Sequence, residues 1–245
     1  LGAGASHEVC LLLGHGLKSK IASLLSISDH HLQRGYDDRV VRALRQRAEI
    51  GPIPRRNEYF KACQDIRNAM PQATSIDDFI HTHSDIPQIV TCAKVGIAKA
   101  ILDAERDSKL YVPTQERRHG QIDFSEVEDT WFNVFFQILK DGCLRDDLPA
   151  RLASLAVISF KYDRCFEHFL KQSLENYFLL DEAESTELMG HLEVFHPYGK
   201  VGNLPWEKQS NSVPFGADLE SGHLLRTSSR IRTFSEGMHP ESQDS

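Results

Sequence analysis

Residues 152–160 read LASLAVISF, a short and nearly continuous apolar run. Such a run is typical of a strand that is buried on both faces. A helical pattern follows directly, from about residue 164 to 178, with apolar side chains at spacings of three and four. Because parallel strands are joined by crossover helices, this strand-to-helix step predicts an α/β fold with a parallel sheet.

Further strand segments are expected on either side of this run. Downstream, residues 192–195 form a second short apolar run, closed by the turn-like stretch HPYGKVGNLP, and 230–234 is a third candidate strand. Upstream, the chain opens on LGAGAS, residues 1–6, a glycine-rich turn of the kind that follows a buried strand. We therefore expect the body of that strand to lie before Leu1.

The stretch between these segments is helical in pattern. Apolar periodicity predicts helices over 17–27, 36–48, 55–70, 75–81, from 87 onward and over 131–139. Ser75 and Asp78 have the spacing of a capping box, and the polar stretch 207–222 is expected to be a loop. The prediction is one domain over 1–245, a Rossmann-like parallel sheet that carries a helical insertion subdomain over roughly 36–141.

Composition excludes several classes of protein. The 245 residues carry 28 Lys and Arg against 35 Asp and Glu, a net charge of −7, which disfavours direct nucleic-acid binding. The chain has no apolar run of 18 residues and no signal-peptide pattern at its start, so no membrane attachment is expected. Five cysteines without a CxxC pair predict no zinc ribbon, and we read them as small hydrophobes of a reduced, cytoplasmic protein.

Three segments that could carry chemistry each follow a predicted strand. They are Gly2-Ala3-Gly4-Ala5-Ser6, Ser159-Phe160-Lys161-Tyr162-Asp163 and His196-Pro197-Tyr198-Gly199. Open α/β sheets bind their ligands at the carboxyl ends of strands, and small residues in such a turn let the backbone approach a pyrophosphate. Taken singly, the first segment could be a tight turn without a ligand, and the histidine could be structural.

Together the three segments resemble the sirtuin superfamily, most closely its divergent prokaryotic branch. The resemblance is carried by LGAGAS (1–6), SFKYDR (159–164) and FHPYGKVG (195–202), with SIDDFI (75–80) and GIAKAILDAERDSKLY (96–111) resembling that branch's helical region. It implies a turn that binds the pyrophosphate of NAD⁺, a strand-end motif at the nicotinamide ribose and a histidine base. Because deacylating sirtuins carry a four-cysteine zinc ribbon, its absence favours the NAD⁺-hydrolysing, phage-defence type.

The resemblance implies a role for each site residue. Backbone N–H groups from Gly2 to Ser6 hold the pyrophosphate, Asp163 accepts from the nicotinamide carboxamide, and His196 is the general base. The remaining residues expected at NAD⁺ are Phe160, Tyr162, Tyr198 and Gly199, with Ser235 and Glu236 near the adenosine. The expected products are nicotinamide and ADP-ribose, with NAD⁺ as substrate and no metal. Homo-oligomers, and an ATPase or Argonaute-type partner, are also implied.

Two departures from the family pattern keep other functions open. Lys161 stands where the family has Asn, and a cation about 4 Å from the ribose would oppose the oxocarbenium-like charge by roughly 4 kcal/mol, about a thousandfold in rate. The flexible lysine stem could instead swing into solvent. The family's last strand, with its GFG-like turn, is missing, so we expect a fragment truncated at both ends. The alternatives are a non-catalytic NAD⁺ or ADP-ribose-binding module and, less favoured, a protein deacylase or ADP-ribosyltransferase.

Overall fold

The structure is a computed structural model that describes residues 1–2, 4–26, 38–113, 121–207, 210–233 and 236. Its helices and strands, in chain order, are α1 (Gly14–Leu24), α2 (Asp38–Ala48), α3 (Arg56–Ala69), α4 (Ile76–Thr82), α5 (Pro87–Arg106), α6 (Trp131–Lys140), α7 (Leu148–Ala153), β1 (Ala156–Ile158), α8 (Cys165–Phe178), α9 (Glu182–Met189), β2 (Glu193–Phe195) and α10 (Ser221–Ser228). Short 3₁₀ turns cover His7–Val9, Phe124–Val127, Arg145–Asp147 and Pro205–Glu207.

A small parallel sheet lies beside a mostly helical body. Within the described residues, the sheet consists of β1 and β2, with Val157 opposite Val194 and Ile158 opposite Phe195. On the other edge of β1, the backbone of Leu1 accepts from the N–H of Phe160 at 3.0 Å. The fold is therefore mixed α/β, and the residues just after Leu1, β1 and β2 all leave the sheet at the same end.

The strand predicted over 152–160 is shorter and less buried than expected. Residues 148–153 are helical instead, because Pro149 suits a first helical turn and Leu148 and Leu152, four residues apart, both point into the core. β1 starts only at Ala156, and Ile158 is 51% exposed, so burial on both faces was a wrong prediction. The candidate strand at 230–234 is absent from the described residues 230–233, and residue 234 lies outside them.

Most predicted helices are present, with ends shifted by a few residues. The Ser75 cap is confirmed, since its hydroxyl accepts from the N–H of Asp78 at 3.0 Å. Three helices were missed, the first of which is α7. α9 follows the capping residue Asp181, whose carboxylate accepts from the backbone N–H groups of Ala183 and Glu184. α10 begins inside the stretch predicted as a loop over 207–222.

The hydrophobic side chains form two core clusters. The first packs α1 to α5 together with α10, and the second packs α6 to α9 against the inner face of the sheet. Helix α5 contributes to both, with Ile101 and Leu102 in the first cluster and Ala104 in the second. The helical subdomain predicted over 36–141 thus shares its core with α1 and α10, while α6 packs on α8 through Phe132 and Phe169, whose rings are 5.3 Å apart.

A buried ion pair joins α5 to the start of α8. The Arg164 guanidinium donates to both carboxylate oxygens of Glu105, at 3.0 and 2.5 Å, and neither side chain is exposed. The remaining guanidinium nitrogen donates to the carbonyl of Val213. Glu105 is therefore buried although it lies in a charged stretch of the sequence, residues 103–118.

None of the described helices combines the length and the apolar composition needed to cross a bilayer. Cys63, Cys92 and Cys165 are buried as expected, whereas Cys143 is half-buried and Cys10 is exposed. The sulfur atoms of Cys63 and Cys92 lie 3.5 Å apart between α3 and α5.

Candidate functional site

The three segments singled out in the sequence converge at one end of the sheet. The Ser6 hydroxyl donates to Asp163 at 2.9 Å, although the two residues are 157 positions apart. The N–H of Val201 donates to the carbonyl of Tyr162 at 3.0 Å, which joins the segment after β2 to the segment after β1. We call this region the strand-end site; its described residues are 2, 4–6, 159–163 and 196–201.

The glycine-rich turn has open space beside its glycines. A Cβ atom placed on Gly2 or Gly4 would meet no atom within 4 Å. The N–H of Ala5 donates to the carbonyl of Gly2 at 3.0 Å, so this donor is used inside the turn. Ser6 is buried, and Ala3 lies outside the described residues. The turn therefore offers its open side, at Gly2 and Gly4, to anything that approaches.

Asp163 has three partners. Besides the Ser6 hydroxyl, it accepts from the N–H of Cys165 at 3.3 Å and pairs with the Lys161 ammonium at 2.9 Å. The Lys161 side chain is 10% exposed, so it does not extend into solvent as one of our alternatives held. The Asp163 carboxylate neutralises its charge. A ribose near this pair would therefore feel less repulsion than the roughly 4 kcal/mol of an unpaired cation.

Both ring nitrogens of His196 are occupied. Nδ1 lies 3.0 Å from the carbonyl oxygen of Lys161, and Nε2 lies 2.7 Å from the Glu167 carboxylate. Since each partner is an acceptor, both nitrogens donate, and the ring is an imidazolium in this arrangement. His196 can act as a base only after it loses one of these protons.

Charges around His196 keep this pair ionised. Burial by itself lowers the pKa of His196, but the hydrogen bond to Glu167 and the charge of that carboxylate outweigh it, and the net pKa is raised. Burial raises the pKa of Glu167, but the hydrogen bond from His196 and the charges of His196 and Lys200 outweigh it, giving a pKa of about 2. The Lys200 ammonium lies 3.4 Å from Glu167 and 2.5 Å from Glu207.

A second layer of contacts holds Tyr162. Its hydroxyl donates to Asp77 at 2.6 Å and lies 3.1 Å from the carbonyl oxygen of Arg232. Burial raises the pKa of Asp77 more than the Tyr162 hydrogen bond lowers it. Burial and the Asp77 charge both raise the pKa of Tyr162. Asp77 falls in the SIDDFI phrase, so the helix α4 supplies a carboxylate to the back of the strand-end site.

The aromatic and glycine positions after the strands differ in burial. Phe160 is 52% exposed, and its ring centroid lies 5.9 Å from that of Tyr198. Gly199 has a φ of +72°, and a Cβ there would lie 2.4 Å from the carbonyl oxygen of Arg230. The structure therefore requires glycine at 199 in order to bring the 230–233 segment against the strand-end site.

Of the two residues expected near an adenosine, Ser235 and Glu236, the structure describes only Glu236. Glu236 pairs with the Lys94 ammonium at 2.8 Å and accepts from the N–H of Thr233 at 2.8 Å. Burial raises its pKa, but the bonds from Lys94 and Thr233 outweigh this and lower it. Ser235 lies outside the described residues.

Sequence reasoning missed several charged members of the region, namely Asp77, Glu167, Lys200 and Glu207. Glu167 lies in the first turn of α8, only four residues after Asp163, and this closeness to the predicted motif could have drawn attention to it. Glu167 and Glu207 also line a cavity of about 450 Å³, together with Trp206, Leu192 and Met189. Lys200 carried no local signal beyond its place in the turn after β2.

Comparisons of the chain with protein-family models, with curated proteins and with solved structures gave no match. The resemblance to sirtuins therefore rests on the motif residues themselves.

Proposed function

We propose that the strand-end site binds NAD⁺ and hydrolyses the bond between nicotinamide and its ribose, in a Rossmann-like setting of the sirtuin type. One observation supports this most strongly, the direct contact of the Gly-rich turn with the motif after β1 through Ser6 and Asp163. Ligands of parallel α/β sheets bind at this end of the strands. The open side of Gly2 and Gly4 suits the close approach of a pyrophosphate.

The reaction assigns roles to groups already in contact. The bond from the ribose C1′ to nicotinamide breaks with its electron pair on the departing nicotinamide, and a water oxygen bonds to C1′. The water's proton passes to a base, for which we propose His196 once it has given up one ring proton. The Asp163 carboxylate would accept a hydrogen bond from the carboxamide N–H of nicotinamide. This bond would replace its present contact with Ser6 or with Lys161.

The second candidate function is binding of NAD⁺ or ADP-ribose without cleavage. The Lys161–Asp163 ion pair favours it, because the carboxylate that would meet the carboxamide is held by a lysine only two residues away. The two occupied nitrogens of His196 favour it as well. A protein deacylase or ADP-ribosyltransferase has no observation in its support.

Replacing Lys161 with Asn, the residue of the sirtuin family, distinguishes the hydrolase from the non-catalytic binding module. In Lys161→Asn, Asp163 is released and an amide able to orient water is supplied, so nicotinamide release from NAD⁺ should rise by about two decades or more. Adding His196→Ala should remove that gain, since the base is lost while the glycine turn is unchanged. Lys61→Asn, on the exposed face of α3, makes the same chemical change far from the site and should leave the rate as in wild type.

Each outcome has a definite meaning. If Lys161→Asn releases no nicotinamide while NAD⁺ still binds in equilibrium dialysis, the binding module replaces the hydrolase. If wild type and Lys161→Asn turn over equally, the Lys161–Asp163 pair does not limit the reaction. If neither protein binds NAD⁺, both candidates fail.

The wider setting implied by the resemblance belongs to the same proposal. NAD⁺ hydrolysis would deplete the pool of a cytoplasm under phage infection, with the chain acting as a homo-oligomer or with an ATPase or Argonaute-type partner. Cellular NAD⁺, measured after infection in cells that carry wild type or His196→Ala, should fall only with the active form. Equal NAD⁺ in both would count against a role in defence.

A further inference from the structure

A surface groove lies between α2, α5 and α10, and residues other than those of the strand-end site line it. It encloses about 480 Å³, and none of its lining residues belongs to segments 2–6, 159–163 or 196–201. Pockets of this volume are in the usual range for small-molecule sites. The three helices that form it are packed against one another in the first core cluster, so its walls are part of the folded body.

Positive charge is concentrated in this groove. Arg47 enters from α2, Lys94 from α5 and Arg226 from α10, and no Asp or Glu is among the described residues that line it. Lys94 pairs with Glu236 at 2.8 Å, whereas neither guanidinium has a carboxylate partner among the described residues. Three cations with one counter-ion form a local excess of positive charge on a chain whose net charge is −7.

The charge of Arg226 also acts on a neighbouring histidine, His223. Burial lowers the pKa of His223, and the charge of Arg226 lowers it further. The positive charge of Arg226 that acts on His223 would also attract an anion. Guanidinium groups match phosphate oxygens particularly well because they can donate two parallel hydrogen bonds.

The groove also has an apolar part. Ile50 is 64% exposed at its edge, and the half-buried side chains of Val90 and Leu225 line it. Inorganic phosphate would leave these side chains uncovered, whereas a nucleobase has an apolar face that can pack on them. The hydroxyl of Ser229 donates to the carbonyl of Arg226, so its oxygen remains able to accept a hydrogen bond from a ligand.

We propose that this groove is a nucleotide-phosphate site, in which Arg47, Arg226 and Lys94 bind the phosphates and the apolar wall packs on the base. This proposal does not depend on NAD⁺ cleavage at the strand-end site. It assigns the groove a ligand of nucleoside diphosphate size, held by charge at one end and by apolar contact at the other.

Calorimetric titration with ADP and with inorganic pyrophosphate tests the proposal on the full chain. The double variant Arg47→Ala/Arg226→Ala should bind ADP at least about tenfold more weakly than wild type, because two charged hydrogen-bonding partners of the phosphates are lost. The control, Arg55→Ala/Arg67→Ala, removes two exposed arginines at α3 and lowers the net charge equally; it should bind ADP within about twofold of wild type. ADP should bind more tightly than pyrophosphate.

A third variant keeps this site distinct from the strand-end site. Gly4→Val blocks the open side of the glycine turn and should leave ADP binding in the groove unchanged. Loss of ADP binding in Gly4→Val, with Arg47→Ala/Arg226→Ala unaffected, would place the ligand at the strand-end site and overturn the proposal. Absence of ADP binding to wild type at millimolar concentration would overturn it too, and pyrophosphate binding as tight as ADP would exclude the nucleoside part.

Discussion

At the scale of single residues, the charges around the strand ends are buried as pairs. Lys161 pairs with Asp163, Arg164 with Glu105 and His196 with Glu167, and each of these side chains is no more than 10% exposed. Burying an unpaired charge costs several kcal/mol, so each member depends on its partner. The pairs fix the geometry of the strand-end site, and they also hold the groups that a reaction would need.

The Glu105–Arg164 pair should be essential for stability. Glu105→Ala leaves the fully buried Arg164 guanidinium without its carboxylate and should lower the free energy of unfolding by about 3–5 kcal/mol. Glu49→Ala removes the partner of Arg56 in a half-exposed pair and should cost at most about 1 kcal/mol. Urea unfolding at neutral pH measures both. Similar small losses in the two variants would show that Glu105 and Arg164 are not buried as a pair.

The His196–Glu167 pair should make stability depend on pH. The pKa of His196 is raised above 6.5, so its contribution is complete below 6.5 and is lost as pH rises through the raised value. The pKa of Glu167 is about 2 instead of 4.5, so its contribution is present above 4.5 and is lost as pH falls towards 2. The advantage of wild type over His196→Gln in unfolding free energy should therefore be greatest between these limits.

Urea unfolding of the two proteins at a series of pH values measures that difference. A difference that does not vary between about pH 3 and pH 9 would contradict the ionised pair.

At the scale of elements, loop contacts hold the strand-end site together, since β1 and β2 have only three residues each. The loop after β2 donates from Val201 to Tyr162, and the 230–233 segment donates from Arg232 to the carbonyl of Tyr198. Such a layered packing of three loops leaves little room between backbones. At Gly199 the backbone of the 230–233 segment leaves no room for a Cβ atom.

Gly199→Ala should separate these loops. The added methyl group would lie 2.4 Å from the carbonyl oxygen of Arg230, and the φ of +72° is itself unfavourable for alanine. Gly142→Ala is the matched control, because Gly142 has a φ of +60° but no atom within 4 Å of a Cβ. In urea unfolding, the control should lose about 1–2 kcal/mol and Gly199→Ala at least about 1 kcal/mol more. Equal losses of unfolding free energy in the two variants would mean that the 230–233 segment moves aside from the added methyl group without destabilising the fold.

At the scale of the whole molecule, helix α5 connects the two core clusters and carries groups for both candidate sites. Its Lys94 lines the groove with α2 and α10, while Glu105 near its other end anchors Arg164 beside Asp163. The strand-end site itself draws on residues from both halves of the chain. A ligand that binds there should therefore stabilise the fold as a whole.

NAD⁺ should raise the melting temperature of wild type. A ligand that binds only the folded state adds about 2.7 kcal/mol at a hundred times its Kd, or about 5–10 °C for a chain of this size. Gly4→Val should show no such rise, because its side chain occupies the space left for the pyrophosphate. Without NAD⁺, this variant should melt close to wild type, since a Cβ at position 4 meets no atom within 4 Å. A rise in Gly4→Val equal to that of wild type would place NAD⁺ elsewhere.

The helices and the three chemical segments could be predicted from the sequence because their signals are local. The spacing of apolar residues over a few turns is enough to predict α3, α5 and α8. A glycine-rich or His-Pro turn indicates the end of a strand, whatever the position of that strand in the sheet. The Ser75 cap likewise depends on residues only three apart. That the three segments meet was expected from the rule for parallel strands, and the Ser6–Asp163 contact agrees with it.

Only the tertiary structure decided which groups are paired and which side of the sheet is covered. Lys161 was expected to face a ribose or the solvent, but burial beside Asp163 makes an ion pair the lowest-energy arrangement for both. Glu105 meets Arg164 across 59 positions and Glu167 meets His196 across 29, distances over which no periodicity carries information. Residues 148–153 form a helix in which Leu148 and Leu152 are both buried, and an apolar run alone does not distinguish such a helix from a buried strand.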